Sequence, residues 1–158
     1  MNKVLFSSNN ENWETPKELF NKLNKEYNFT LDACASEQNK LCNKYYSIEN
    51  SFLTNYPKNE RIFINPPYSR NIGKFIEHCF NLQSENEIIV LLLPARTDTK
   101  WFHKYILNNP YTQIEFIKGR LKFTLNGISK KSATFPSMIV YMYKSYEDYL
   151  VDITTPLI

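Results

Sequence analysis

Six consecutive apolar residues at positions 88–93, Ile-Ile-Val-Leu-Leu-Leu, set the tightest limit on how this chain folds. A strand with one face in water alternates apolar and polar residues, and this run contains no polar position. It therefore predicts a central strand with both faces covered, as in parallel sheets that carry helices on each side.

Predicted strands and helices alternate on both sides of that run. Thr15 as N-cap, Pro16 in the first turn and Glu18 as capping-box partner indicate where the first helix begins. The predicted helices occupy residues 16–27, 72–80 and 98–107; the predicted strands occupy residues 29–33, 61–64, 88–93, 114–117 and 138–143, with a weaker strand at 121–124 and a mobile loop at 126–134. This alternation predicts an α/β fold with helices on both faces of one sheet.

Length and composition narrow the classes of protein to consider. The 158 residues fit one domain and leave too little length for a separate recognition domain. No run approaches the roughly 20 apolar residues of a membrane span, and the N-terminus lacks the apolar core of a secretory signal. We therefore expect a cytoplasmic protein without a membrane partner. The three glycines lie too far apart for a glycine-rich phosphate loop, which argues against nucleotide hydrolysis.

Cysteines and histidines give no sign of a metal site. Cys34, Cys42 and Cys79 match neither a C-x-x-C knuckle nor an even disulfide framework, so we expect reduced and mostly buried thiols. His78 and His103 fall in predicted helices without metal-ligand spacing or a paired nucleophile, and we interpret both as structural.

Polar residues follow two of the predicted strands. Asp32 falls at the end of the strand at 29–33, and Asn65 comes directly after the strand at 61–64. Ligands of open α/β sheets bind outside the carboxyl ends of the strands. We therefore expect both residues at one site, where Asp32 can accept hydrogen bonds from a bound cofactor.

Asn65-Pro66-Pro67-Tyr68 has the chemistry needed to alkylate a planar amino group, whose nitrogen lone pair is delocalised into the adjoining π system. The Asn65 side-chain oxygen and the Pro66 carbonyl can each accept one N–H, which draws the nitrogen towards tetrahedral geometry. The prolines keep these acceptors rigid, and Tyr68 can stack on a base flipped out of a duplex. The motif alone does not distinguish adenine, cytosine or a glutamine amide, and two prolines after a strand can also form a simple turn.

Six ordered blocks lie between residues 13 and 143. They are Trp13-x-Thr15-Pro16, residues 29–35, Asn65-Pro66-Pro67-Tyr68-Ser69, residues 93–102, Gly119-Arg120-Leu121-Lys122-Phe123 and Phe135-Pro136-Ser137. In this order they resemble the phage-type Dam family of DNA N6-adenine methyltransferases. The resemblance implies a compact, Rossmann-like S-adenosylmethionine-dependent methyltransferase fold over residues 1–158, encoded by a phage or prophage. The activity it implies is methyl transfer from S-adenosylmethionine to adenine N6 in double-stranded DNA after base flipping.

The resemblance also implies which residues form the site. The cofactor part spans about residues 13–56 and the catalytic loop residues 65–68. Trp13, Thr15, Pro16, Asp32, Ala33 and Cys34 would bind the cofactor; Asn65, Pro66, Pro67 and Tyr68 would be catalytic, with no metal. One departure is Asn50-Ser51-Phe52-Leu53 followed by Tyr56, where the family has Asp-Gly-Leu and then Trp. If the missing acid contacts adenosine, its absence weakens cofactor binding. A second departure is the lack of a glycine-rich turn after Asp32, where small residues such as Ala33 would allow close approach.

Residues 96–102 and 118–137 are the expected DNA-contact segments, through Arg96, Asp98, Arg120 and Lys122. The alternative for Arg96 and Asp98 is a salt bridge that caps the next helix. For the lysines around Arg120, the alternative is alternation along a solvent-facing strand. The net charge of +3 permits DNA binding without requiring it.

Two other functions remain open. The same chemistry could act on RNA, on cytosine N4 or on a protein glutamine, because all of these substrates present a similar planar amino group. Alternatively, the departure at Asn50 and Ser51 is compatible with a non-catalytic module that binds DNA or the cofactor. The sequence predicts neither the DNA recognition site nor the oligomeric state.

Overall fold

The strands and helices come from a computed structural model that describes residues 13–125, 128–129 and 132–154. Strands and α-helices occur in the order α1 (Lys17–Tyr27), β1 (Leu31–Asp32), β2 (Lys44–Tyr45), β3 (Arg61–Ile64), α2 (Ile72–Leu82), β4 (Ile88–Pro94), β5 (Thr112–Phe116), β6 (Thr124–Leu125), β7 (Ile128–Ser129), β8 (Ser137–Tyr143) and α3 (Tyr146–Thr154). Short 3-10 helices occupy Phe52–Thr54 and Gln83–Glu85, and a π-helix occupies Phe102–Leu107.

One six-stranded sheet in the order β2-β1-β3-β4-β8-β5 organises the chain. Strands β2, β1, β3 and β4 are parallel, and β8 is antiparallel to both β4 and β5. Strand β5 therefore runs in the direction of β4, and the carboxyl ends of β1, β3, β4 and β5 share one edge. From β1 the chain goes first to β2 on one side and then to β3 on the other. This reversal makes the β1–β3 edge a topological switch point, where open α/β sheets bind ligands.

Both faces of the sheet are covered, as the run at 88–93 predicts. Alternate residues of β4 point to opposite faces: Ile89 and Leu91 pack in one core cluster, and Val90 and Leu92 pack in the other. The first cluster includes residues of α2 and the π-helix, and the second includes residues of α1 together with Phe123. No helix of the described residues has the length and apolar character needed to cross a membrane.

The predicted elements with the clearest apolar patterns are confirmed: β3 has the predicted bounds, and α1, α2, β4 and β8 differ by a residue or two at their ends. The predicted strand at 121–124 is wrong, since only Thr124 of that range lies in a strand. The helix at 98–107 begins at Lys100 and is π-helical from Phe102. Strand β2 and helix α3 were not predicted, because β2 has two residues and α3 has no fully buried residue. The predicted mobile loop lies partly outside the described residues, and β7 falls within it.

The start of α1 differs from the predicted capping box. Pro16 is the N-cap residue, and no side chain caps the helix. The Phe20 amide donates to the Pro16 carbonyl at 3.1 Å, so the first turn closes through the backbone. The prediction that Thr15 caps this helix with Glu18 is therefore wrong, because the Thr15 hydroxyl faces Asn65 instead.

Candidate active site

Two adjacent cavities open at the switch point. The larger, of about 650 Å³, lies between the N-terminal segment before α1 and the loop after β1. The smaller, of about 410 Å³, lies on the other side of that loop, against α2. The residues that line both are Cys34, Ser36, Asn39 and Asn65. Asn65 therefore stands where the two cavities adjoin.

Strand β3 and the two prolines that follow Asn65 hold Asn65 in this position. Ile64 is fully buried, and the chain leaves the sheet at Asn65 because the next two residues are prolines, which cannot donate to a sheet ladder. The Tyr68 hydroxyl donates to the Leu92 carbonyl of β4 at 3.1 Å. The Tyr68 ring makes edge contacts with Phe123 and Phe135. Both ends of the loop are thus fixed to the core.

The Asn65 amide has a defined orientation. Its Nδ2 donates to the Trp13 carbonyl at 2.6 Å and to the Thr15 Oγ1 at 3.1 Å. The opposite orientation would place Oδ1 against the Trp13 carbonyl, which is only an acceptor. Asn65 Oδ1 is buried and has no partner among the described residues. A buried acceptor without a donor is costly, so this oxygen is suited to an incoming N–H.

Asp32 is 3% exposed at the end of β1 and lines the larger cavity. Its carboxyl oxygens accept from the Cys34 amide at 3.4 Å and from the Leu41 amide at 3.1 Å, which pins the loop between the two cavities. Burial raises the pKa of Asp32 to about 6, and these two hydrogen bonds oppose the rise. The carboxylate keeps free lone pairs for a cation.

Small residues follow Asp32 in place of a glycine turn. Ala33 is buried and donates its amide to the Phe63 carbonyl at 2.9 Å, while Cys34 is half-buried between the cavities. Burial and the neighbouring Asp32 raise the pKa of the Cys34 thiol well above its ordinary value, so it lies there as a neutral side chain. Cys79 is fully buried, and Cys34 and Cys42 are only half-buried; all three are free thiols.

The smaller cavity contains residues that the sequence did not single out. Ile48, Phe52 and Phe75 supply apolar surface, and Ser47 supplies a hydroxyl. Ile48 is apolar and 92% exposed. Phe75 lay on a predicted helix face, but Ser47 and Ile48 follow the two-residue β2, which has no detectable periodicity.

The two positions that depart from the family pattern have local partners. Asn50 Oδ1 accepts from Asn55 Nδ2 at 2.9 Å. Ser51 Oγ accepts from the Leu53 amide at 3.2 Å and caps the short 3-10 helix, and Ser51 also lines the smaller cavity. Neither residue adds a charge, and Ser51 forms part of the cavity wall.

The N-terminal segment is paired with the segment around Thr124. Glu14 and Thr124 exchange backbone hydrogen bonds at 3.1 Å, and the Trp13 ring packs 5.2 Å from the Phe123 ring. Pro16 is half-buried, and Lys17 lines the larger cavity. Trp13 and Thr15 contact Asn65 directly, whereas Pro16 sets the start of α1.

Arg96, Asp98, Arg120 and Lys122 are all exposed and follow the carboxyl ends of β4 and β5, at the same edge as Asn65. Within the part of the chain that the structure describes, Arg96 and Asp98 form no ion pair. Thr99 caps the following helix instead, through its hydroxyl contact with the Phe102 amide. The alternative of a capping salt bridge is therefore wrong. Arg120 and Lys122 lie in a loop, so strand alternation does not explain their pattern.

Each histidine has a backbone carbonyl as a partner, which agrees with the structural role predicted for it. His78 Nε2 bonds to the Asn55 carbonyl at 2.7 Å and His103 Nε2 to the Thr97 carbonyl at 2.8 Å. Among the residues with described positions, no group of three His, Cys, Asp or Glu could hold a metal ion.

Comparisons with known proteins agree with this architecture. The model of the DNA N-6-adenine-methyltransferase (Dam) family matches residues 3–155. A DNA N-6-adenine-methyltransferase of Escherichia phage T1 is 41% identical over 92 residues, which are 57% of this chain and 38% of the phage protein. A DNA N-6-adenine-methyltransferase of Haemophilus phage HP1 is 29% identical over 103 residues, which are 64% of this chain and 60% of that protein. Each alignment spans less than two thirds of the relative's own length. The six-stranded α/β sheet is that of a Rossmann-like methyltransferase, and the chain belongs to the DNA N-6-adenine-methyltransferase (Dam) family.

Proposed function

We propose that this protein transfers a methyl group from S-adenosylmethionine to the N6 amino group of adenine in double-stranded DNA. The observation that carries the proposal is the buried, unpartnered Asn65 Oδ1 at the junction of two cavities. Family membership and the two phage relatives support the choice of adenine and DNA.

The residues around the loop after β1 fit S-adenosylmethionine. That cofactor supplies an electrophilic methyl group on a sulfonium. Asp32 would accept its ammonium in the larger cavity, which Thr15 also lines, and Pro16 follows Thr15 as the N-cap residue of α1. Ala33 and Cys34 allow close approach of the cofactor. The adenosine would lie in the smaller cavity against its apolar lining, which is formed by Ile48, Phe52 and Phe75.

Activation of the amino group belongs to the Asn65 loop. Asn65 Oδ1 and the Pro66 carbonyl would each accept one N–H of the adenine amino group, which localises the nitrogen lone pair. The localised lone pair would form the new N–C bond with the methyl group that the sulfonium supplies, and the electrons of the broken C–S bond would stay on sulfur. The amino nitrogen would then release one proton to solvent and become neutral again. Pro67 and the anchored Tyr68 would keep the acceptors in place; the Tyr68 ring packs edge-on against Phe123 and Phe135 and lines neither cavity.

DNA would approach the carboxyl edge of the sheet. Arg96, Arg120 and Lys122 are exposed there, and exposed cations at a duplex are attracted to its phosphates. Asp98 stands beside Arg96 and could contact the target base. Because this edge also holds Asn65, phosphate contacts would bring the base within reach of the catalytic loop.

Methyl labelling tests the proposal directly. Protein, labelled S-adenosylmethionine and adenine-containing duplex DNA are incubated together, with RNA and a mixed protein substrate in parallel tubes. We expect label in DNA that is released by nuclease. Label confined to RNA or to protein glutamine would overturn the DNA assignment. Cofactor binding in calorimetry without any transfer would overturn catalysis and favour a binding module.

A further inference from the structure

We infer that Thr15 is a positioning residue for Asn65. The Thr15 hydroxyl oxygen accepts a hydrogen bond from the Asn65 amide and so holds Oδ1 towards the reacting amino group. This inference rests on the proposed function, because Oδ1 has that task only if Asn65 is catalytic. It also assigns the Thr15 side chain a partner in the protein instead of the cofactor.

The geometry uses both hydrogens of the Asn65 amide. One is donated to the Trp13 carbonyl at 2.6 Å and the other to Thr15 Oγ1 at 3.1 Å. A half-turn of the amide would bring Oδ1 against these two oxygens and leave Nδ2 facing the substrate. An amino group turned towards the target nitrogen cannot accept its hydrogens. The Trp13 carbonyl, which is only an acceptor, therefore selects the catalytically competent orientation, and the Thr15 hydroxyl accepts the second hydrogen and restrains the amide in that orientation.

Thr15 is suited to this task by its burial. It is 8% exposed, so water competes little for the Asn65 amide. Its hydroxyl makes no cap bond to α1, although threonine before a helix commonly caps it. The contact with Asn65 is what the hydroxyl does instead. Thr15 also follows Glu14, which is held in place by its backbone pairing with Thr124.

The test compares Thr15→Val, Thr15→Ala and Thr15→Ser with the wild-type protein. In Thr15→Val a methyl group replaces the hydroxyl, so the shape is kept and the oxygen is lost. In Thr15→Ala both the hydroxyl and the methyl group are lost, and in Thr15→Ser the hydroxyl is kept. Thr154→Val is a matched control, because among the described residues its hydroxyl bonds within α3. For each variant, single-turnover methyl transfer and the Kd of S-adenosylmethionine are measured separately.

We expect the single-turnover rate of Thr15→Val and Thr15→Ala to fall by about three- to tenfold, since one buried hydrogen bond is lost. The cofactor Kd should stay within about twofold, and Thr15→Ser and Thr154→Val should react like wild type. A raised cofactor Kd with an unchanged single-turnover rate would overturn the inference and make Thr15 a cofactor residue. A single-turnover rate in Thr15→Ser as low as that of Thr15→Val would also overturn the inference.

An NMR readout separates this inference from the proposed function. The Asn65 side-chain NH₂ should give a resonance pair that is protected from solvent exchange in the wild type and in Thr15→Ser. Exchange should be faster in Thr15→Val, whether or not the protein methylates DNA. If wild-type protein fails to methylate any substrate but this pattern holds, the proposed function fails and the positioning contact stands. An unchanged Asn65 pair in Thr15→Val would refute the contact itself.

Discussion

Cofactor affinity should fall as the pH falls through about 6, because Asp32 can pair with an ammonium only when it is ionised. Burial raises the pKa of Asp32 from 3.8 to about 6 in the free protein. Its carboxyl group is therefore mostly ionised at pH 7 and roughly nine-tenths protonated at pH 5. Binding of a cation draws the pKa back down, so binding releases a proton at pH 5. The Kd of S-adenosylmethionine should then be about tenfold higher at pH 5 than at pH 7, a loss of about 1.4 kcal/mol.

Calorimetry at pH 7, 6 and 5 measures this change, and Asp32→Asn is the matched variant. Glu14, Lys17 and Lys40 line the same cavity, so the variant is needed to assign the pH dependence. Asparagine keeps the size of the side chain but has no ionisation, and its Kd should be weaker at pH 7 and nearly flat with pH. The reasoning is refuted if wild-type affinity is flat between pH 7 and 5, or if Asp32→Asn shows the same tenfold loss.

Two further predictions concern stability and DNA affinity. Phe123 is fully buried against Trp13, so Phe123→Ala should lower the free energy of unfolding by about 3–5 kcal/mol in urea titrations. Phe116 is 60% exposed, so Phe116→Ala should change the free energy of unfolding by less than about 0.5 kcal/mol. Equal losses in the two variants would contradict the packing. Removing Arg120 should weaken DNA binding and reduce the slope of log Kd against log salt by about 1, and Lys58→Ala at the opposite edge of the sheet should leave that slope unchanged.

The sequence predicts the elements whose buried residues form a continuous apolar run or a periodic apolar pattern. The run at 88–93 predicted β4 and the covered sheet, and the prolines after Ile64 predicted where β3 ends. Strand β2 has too few residues to show a period, so Ser47 and Ile48 at its end were missed although they line the smaller cavity.

The hydrogen bond between Thr15 and Asn65 could not be predicted from the sequence either. A threonine before Pro16 satisfies local capping rules, and only the long-range approach of Asn65, 50 residues later, competes with them. A tertiary contact of this kind decides whether the Thr15 hydroxyl caps the helix or bonds elsewhere. The position of Asn65 after a strand was predictable because it follows from the topology, whereas the orientation of its amide depends on a segment far away in the sequence.

The claim that Asn65 Oδ1 activates adenine is tested most directly by mass spectrometry of nucleosides from methylated duplex DNA. Wild-type protein and Asn81→Ala, an exposed asparagine change on α2, should both produce N6-methyladenine. Asn65→Ala should form it more slowly by on the order of 10²–10³-fold, the usual effect of losing one aligned hydrogen-bonding group in an active site. N4-methylcytosine as the product, or N6-methyladenine at the wild-type rate in Asn65→Ala, would contradict the account.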